Sequence, residues 1–202
     1  MTKKRVAVLI SGRGSNLAAL IEATKTPGYP AEIVLAISNV PGAGGLEVAR
    51  LAGIATQTVP HKGLPREMFD ARIDAALRAA NIDIVCEAGF MRIHGEAFAR
   101  AWQGRILNIH PSLLPAFPGT HVHEQVLAAG VKETGCTVHF LTPELDAGPT
   151  ILQAKVPVLP GDTVDTLSAR VLVEEHRIYP EALRLVAEGK VRLADGRAAF
   201  DV

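Results

Sequence analysis

The sequence predicts an α/β fold: a Rossmann-like, mostly parallel twisted sheet with helices on both faces and mixed strands in its C-terminal half. Three observations predict it. Short apolar runs recur along the first half, at Val6-Ala7-Val8-Leu9-Ile10, Ile33-Val34-Leu35-Ala36-Ile37 and Ile82-Asp83-Ile84-Val85-Cys86, with helical periodicity between them. Unbroken apolar runs mark strands buried on both faces, and strand–helix alternation marks parallel crossovers. The first run leads into a glycine turn and then a helix. After Gly130 the alternation gives way to strand, loop, strand, an order that suits antiparallel pairing.

Taken in order, residues 5–10 form the first strand. Ser11-Gly12-Arg13-Gly14-Ser15-Asn16 follows, with Leu17, Leu20 and Ile21 at helical spacing. Strand, glycine turn, helix is a layout that points backbone N–H groups and a helix N-terminus at an anion. The turn has neither the dinucleotide GxGxxG spacing nor a Walker lysine, so a single phosphate is the expected ligand. Residues 32–39 are the second strand, and Gly42–Gly53 a helix with Leu46, Val48, Ala49 and Leu51. Residues 56–59 are a short strand. Pro65–Ala80 is an amphipathic helix burying Met68, Phe69, Ile73, Ala76 and Leu77, and residues 82–86 are a further buried strand. Arg105-Ile106-Leu107 opens the next strand. His121–Ala129 is a helix stopped by Gly130, Thr134–Leu141 and Ile151–Val158 are strands, and Asp162 or Thr163 caps a last long helix that Pro180 kinks or divides. No repeat, low-complexity tract or linker interrupts the 202 residues, so one domain is expected. Its halves are a nucleotide-phosphate-binding 1–100 and a catalytic and folate-binding 101–202, the ligand names following from the resemblance below.

Composition narrows the function. Hydrophobic residues make up 48% of the chain, aromatics 4%, and 21 basic residues balance 21 acidic ones. A zero net charge argues against a general nucleic-acid binder, which needs a basic excess to displace counterions. No stretch is long enough to span a membrane. Cys86 and Cys136 lie in apolar runs and are expected as buried free thiols in a cytoplasmic protein. No metal-type spacing of Cys or His occurs.

Asn108-Ile109-His110-Pro111 carries the clearest chemistry. On a strand, Asn108 and His110 share a face, and the prolines that follow stiffen the exit. A neutral donor beside a titratable ring suits work on a reacting carbonyl. Gly89-Phe90-Met91-Arg92-Ile93-His94 leaves the carboxyl end of a parallel strand, where α/β sheets bind ligands. It is read equally as a pocket wall or as plain turn packing. Asp146 lies in a Gly- and Pro-rich loop, and no periodicity links it to His110.

Together these segments resemble the phosphoribosylglycinamide formyltransferases. The matching pieces are Leu9–Leu17, Ala88–Ile93, Leu107–Pro115, Pro118-Gly119, Gly135–Phe140, Leu145-Asp146-Ala147-Gly148-Pro149, Ile151–Ala154 and Glu175-His176-Arg177-Ile178-Tyr179-Pro180. The resemblance implies formyl transfer from 10-formyltetrahydrofolate to glycinamide ribonucleotide in purine biosynthesis, by a monomer or homodimer with no metal. It implies that Asn108, His110 and Asp146 carry the chemistry, with Asp146 raising the His110 pKa. It assigns Gly14, Ser15, Asn16 and Glu175 to the ribonucleotide, and Arg66, Met91, Arg92, Ile93, His94, Asn108 and Leu141 to the folate. The 141–146 loop folds over the pteridine, and Leu114-Pro115 corresponds to the family's cis peptide. Position 94 departs from the pattern, with His where an apolar residue is usual. The alternatives are a formyltetrahydrofolate hydrolase, with an extra N-terminal domain not expected here, and a methionyl-tRNA formyltransferase, with an extra basic C-terminal one. A non-catalytic nucleotide-binding module is the rival from another class.

Overall fold

The computed structural model describes residues 2–201. Its main sheet has seven strands: β1 (Lys4–Ile10), β2 (Ala31–Ser38), β3 (Ala55–Thr58), β4 (Ile84–Glu87), β5 (Ile106–His110), β6 (Glu133–Phe140) and β7 (Thr150–Pro157). They lie in the order β3-β2-β1-β4-β5-β6-β7. The first five are parallel, and β6 pairs antiparallel with both β5 and β7, so the sheet is mixed as the pattern predicts. Because β4 pairs with β1 rather than with β3, the order in which strands are added reverses between β1 and β4. Ligand sites in open α/β sheets form beyond the carboxyl ends of strands at such a reversal. The 11–14 turn and the 88–95 segment both leave the sheet there.

The helices are α1 (Ser15–Thr24), α2 (Gly44–Leu51), α3 (Arg66–Ala79), α4 (Glu96–Ala101), α5 (Val122–Ala129) and α6 (Val164–Ala187). One face of the sheet is covered by α1, α2, α5 and α6, whose Leu17, Leu20, Ala49, Val126, Leu167 and Val171 pack on Val8, Cys86, Leu107 and Val138. On the other face, Phe69, Ile73 and Leu77 of α3, Phe98 of α4 and the adjoining Trp102 pack on Leu9, Val85 and Ile106. Strand alternation therefore sends Glu87, Asn108, His110 and His139 toward the α3–α4 side.

Several expectations need correction. Met68 and Leu51 are exposed, because each sits at the edge of its helix's apolar stripe, beyond the sheet's cover. Pro180 lies inside α6 without dividing it. Helix α4 has no counterpart in the sequence pattern, being only six residues long. The pattern also misses a small hairpin of β8 (Val191–Ala194) and β9 (Arg197–Phe200), although Asp195-Gly196 between them is a strong two-residue turn signal. Both residues adopt positive φ there, 50° and 72°.

Helix α6 begins with a capping box in which Thr163 accepts from the Thr166 N–H, and the Thr166 hydroxyl accepts from the Thr163 N–H. Thr163→Ala should lower stability by about 1 kcal/mol, read as a shift of the urea midpoint, with activity unchanged.

Candidate active site

The site grows from the end of β5. Asn108 pairs across to Glu87 of β4 on one side and to His139 of β6 on the other, placing three polar side chains in one lateral row on one face. The His139 ring donates from Nδ1 to the Phe140 carbonyl at 2.9 Å, which leaves Nε2 as an acceptor 3.5 Å from Asn108 Nδ2. Burial lowers the His139 pKa, in keeping with a neutral ring. His139 thus orients the Asn108 carboxamide, with one N–H toward itself and the other free.

His110 has oxygens on both sides. Its Nε2 donates to the Phe117 carbonyl at 2.8 Å, and its Nδ1 lies 3.6 Å from Oδ2 of Asp146. The first contact is a hydrogen bond and the second an ion-pair approach. The two residues that supply these oxygens both adopt left-handed backbone, Phe117 at φ 52° and Asp146 at φ 51°. Aspartate tolerates that region, but for phenylalanine it is strained, and such strain persists only where the surroundings impose it. Asp146 is further fixed by the Gly119 N–H, which donates to Oδ2 at 2.8 Å. The structure therefore brings together all three residues named for the chemistry, across an interval that periodicity alone could not bridge.

The segment after His110 is anchored from β6 and β7. Thr137 Oγ1 accepts from the Leu114 N–H and donates to the Ser112 carbonyl, and Gln153 Nε2 donates to the Leu114 carbonyl. The Leu114-Pro115 bond is cis, as expected. The Ser112 hydroxyl donates to the Ala116 carbonyl, so it closes a turn and faces no base.

The anion turn packs as the glycines require. Gly14 has φ 80°, and a Cβ there would lie 2.5 Å from the Cα of Gly45. This close approach sets the N-termini of α1 and α2 side by side, and α1 has no side-chain cap over its first N–H groups. Two uncapped helix starts make a favourable place for an anion. Ser15 is exposed at that end. Asn16 behaves differently from expectation. Its Nδ2 donates at 2.8 Å to Glu175 of α6, both side chains being buried, so this donor is already committed. Its Oδ1 is buried without a protein partner. Burial raises the Glu175 pKa against the opposing effect of that hydrogen bond.

The residues named for folate line the other side of the reversal. Met91 and Ile93 are exposed. The Met91 N–H donates to Ser11 Oγ at 2.7 Å, and Ser11 in turn donates to Asn39. Ser11 thereby ties the anion turn to the 88–95 segment, a role the sequence does not reveal. The Arg92 guanidinium lies 5.3 Å from the centre of the Phe69 ring. Arg66 is exposed at the start of α3, beside Gly95. Leu141, just past β6, is partly buried against the α3–α4 cluster. The His94 side chain turns inward and is not presented to a ligand at the surface; its Nδ1 is 2.6 Å from Asp70 and its Nε2 3.0 Å from Glu87. The sequence signal for this is Glu87 itself, an acid continuing an apolar strand. Of the remaining histidines, His121 is largely exposed beside Glu124.

Comparison with known proteins places the chain in a family. A family model described as formyl transferase matches residues 4–183. The chain is 57% identical over 96% of its length to the trifunctional purine biosynthetic protein adenosine-3 of Bos taurus, of which it spans only 19%. It is 47% identical to the phosphoribosylglycinamide formyltransferase of Escherichia coli strain K12, covering 97% of this chain and 93% of that one. The crystal structure of glycinamide ribonucleotide transformylase 1 from Symbiobacterium toebii superposes with a TM-score of 0.94 at 48% identity, covering 98% of this chain and 94% of that one. By sequence and by fold, the chain belongs to the formyl transferase family.

Proposed function

We propose that this chain transfers a formyl group from 10-formyltetrahydrofolate to the amine of glycinamide ribonucleotide, in the synthesis of purines. The observation that carries the reading is the meeting of Asn108, His110 and Asp146 at the carboxyl end of β5, between an anion turn and a loop with exposed apolar side chains. The phosphate sits on the free N–H groups that open α1, around Gly14, Ser15 and Asn16. Glu175 and the unpartnered Oδ1 of Asn16 accept hydrogen bonds from the rest of the ribonucleotide. Arg66, the backbone of residues 91–94 and Leu141 hold the folate, with the 141–146 loop over it. Among the described residues no helix is long and apolar enough to cross a membrane. The two buried free thiols fit a reducing cytoplasm.

The amine nitrogen attacks the formyl carbon, and the carbonyl electron pair moves to oxygen. The free N–H of Asn108 and the Nδ1–H of His110 stabilise that oxyanion. The Asp146 carboxylate attracts the positive charge of the ring. A proton leaves the new ammonium by way of Asp146 and a water, and reaches the folate nitrogen as the carbon–nitrogen bond to folate breaks. No covalent enzyme intermediate is required.

Supplying formyl-folate with glycinamide ribonucleotide, or with water alone, tests the reading. Deformylated folate should appear only with the amine, in equal amount to the formylated product. Equal release without the amine would instead assign the hydrolase. In the same assay Asn16→Ala should raise KM for the ribonucleotide about tenfold or more, because it removes a hydrogen bond to a charged group, and should lower kcat less.

A further inference from the structure

Beneath the 88–95 segment lies a charged cluster that the reaction above does not use. His94 is closed between two carboxylates, 2.6 Å from Asp70 of α3 and 3.0 Å from Glu87 of β4. The first contact is a hydrogen bond, and the second is an ion-pair approach without hydrogen-bond alignment. The ring also stacks on Phe98 at 4.2 Å and Phe90 at 5.4 Å. The Gly95 N–H donates to the other oxygen of Asp70 at 2.6 Å. All three side chains are nearly inaccessible to water. Glu87 and His94 bracket the segment, one immediately before it and one near its end. From the opposite face of the sheet, the Tyr179 hydroxyl donates to the Glu87 carbonyl at 2.7 Å. Glu87 is therefore pinned through both its backbone and its side chain, one strand away from Asn108.

Removing two or three ionised groups from water is costly, and breaking one partner of a buried pair leaves the other unpaired. A set of this kind holds its backbone to one arrangement. We propose that Glu87 and His94, with Asp70, form a buried ionic clasp that shapes the 88–95 segment to receive the formyl donor, making Glu87 and His94 positioning residues for the transfer. The proposal rests on the reading above that this segment binds the donor. It accounts for the inward turn of His94: the ring has its matching acids directly below.

The clasp carries a pH signature. Burial pushes the His94 pKa down, but Asp70 and Glu87 outweigh it and raise the value from 6.5 to about 9. The other groups around it are Arg92 on its own segment, Arg66 of α3 beside Gly95, and His139 beyond Glu87; α4 contributes Phe98. Because the folded value is raised, the clasp is complete below about pH 6.5 and is lost as pH climbs through about 9.

The test compares His94→Leu, the pair Glu87→Leu with Asp70→Asn, and all three changes together. Removing the cation alone, or both carboxylates alone, should raise KM for formyl-folate about tenfold or more, with KM for the ribonucleotide and kcat within about threefold, because buried charge is left unpaired. The triple change removes every charge of the cluster, and Asp70→Asn keeps an oxygen to accept from the Gly95 N–H, so it should return KM for the donor to within about threefold of the unmodified chain. In the unmodified chain KM for the donor should climb above about pH 9, and the triple variant should lack that climb. Partial variants that weaken both substrates equally, a triple variant no better than the partial ones, or an alkaline climb that survives in the triple variant would each overturn the clasp. Calorimetric titration with tetrahydrofolate alone reads the same series without turnover. It keeps the clasp testable should the transfer assay itself assign another reaction.

Discussion

Asp146→Asn should cut kcat by about 10²–10³, roughly 2.7–4 kcal/mol of barrier, while ribonucleotide binding stays near that of the unmodified chain. The substitution is a clean probe. The Asp146 Oδ2 accepts from the Gly119 N–H at 2.8 Å, and an asparagine oxygen accepts equally well, so the loop keeps its anchor. What disappears is the negative charge 3.6 Å from His110 Nδ1. Steady-state kinetics with saturating formyl-folate, beside calorimetric binding of the ribonucleotide, separates the two effects. A variant that keeps near-normal kcat removes Asp146 from the chemistry. Asn108→Ala should cost a similar factor by removing an oxyanion donor, with His139 Nε2 losing its own partner as well.

Gly148→Ala should lower both stability and turnover. A Cβ at Gly148 would fall 1.6 Å from the Phe140 carbonyl oxygen and 3.1 Å from His139 Nδ1. The nearest atom is backbone, so no side chain can rotate away. The same Phe140 carbonyl accepts from His139 Nδ1, so the displacement reaches the ring that orients Asn108. Two residues upstream, Asp146 must also move. We expect a loss of about 3 kcal/mol, or roughly 6–12 °C in Tm for a chain of this size, with a parallel fall in kcat. Differential scanning calorimetry and the transfer assay read the two losses. An unchanged Tm would mean that the 144–149 loop yields freely and cannot be what fixes Asp146.

How much of the molecule is legible in its sequence depends on the range of each interaction. The sheet's parallel half follows from alternating apolar runs, and Asn108 with His110 follows from a period of two, both local properties. The partners of these residues are not local. Resemblance alone attaches Asp146 to His110, because a left-handed turn at Asp146 and another at Phe117 aim their oxygens in ways no periodicity encodes. The sequence suggests a free donor at Asn16, but its amide is claimed by Glu175, 159 residues away. Position places His94 among the folate residues, whereas its ring turns inward to Asp70 and Glu87. That turn depends on α3 packing beneath the loop. Met68 defeats the pattern because helical phase tells which side is apolar but not where a neighbour's cover ends.

The proposed mechanism requires His110 and Asp146 to act as one unit on the migrating formyl group, and a double-mutant cycle in single-turnover formyl transfer tests this most directly. Groups that work as a unit are strongly non-additive. We predict that His110→Ala combined with Asp146→Asn is no slower than the slower single variant. If the two losses multiply instead, the ring and the carboxylate act independently, and the imidazole–carboxylate pair is not what moves the formyl group.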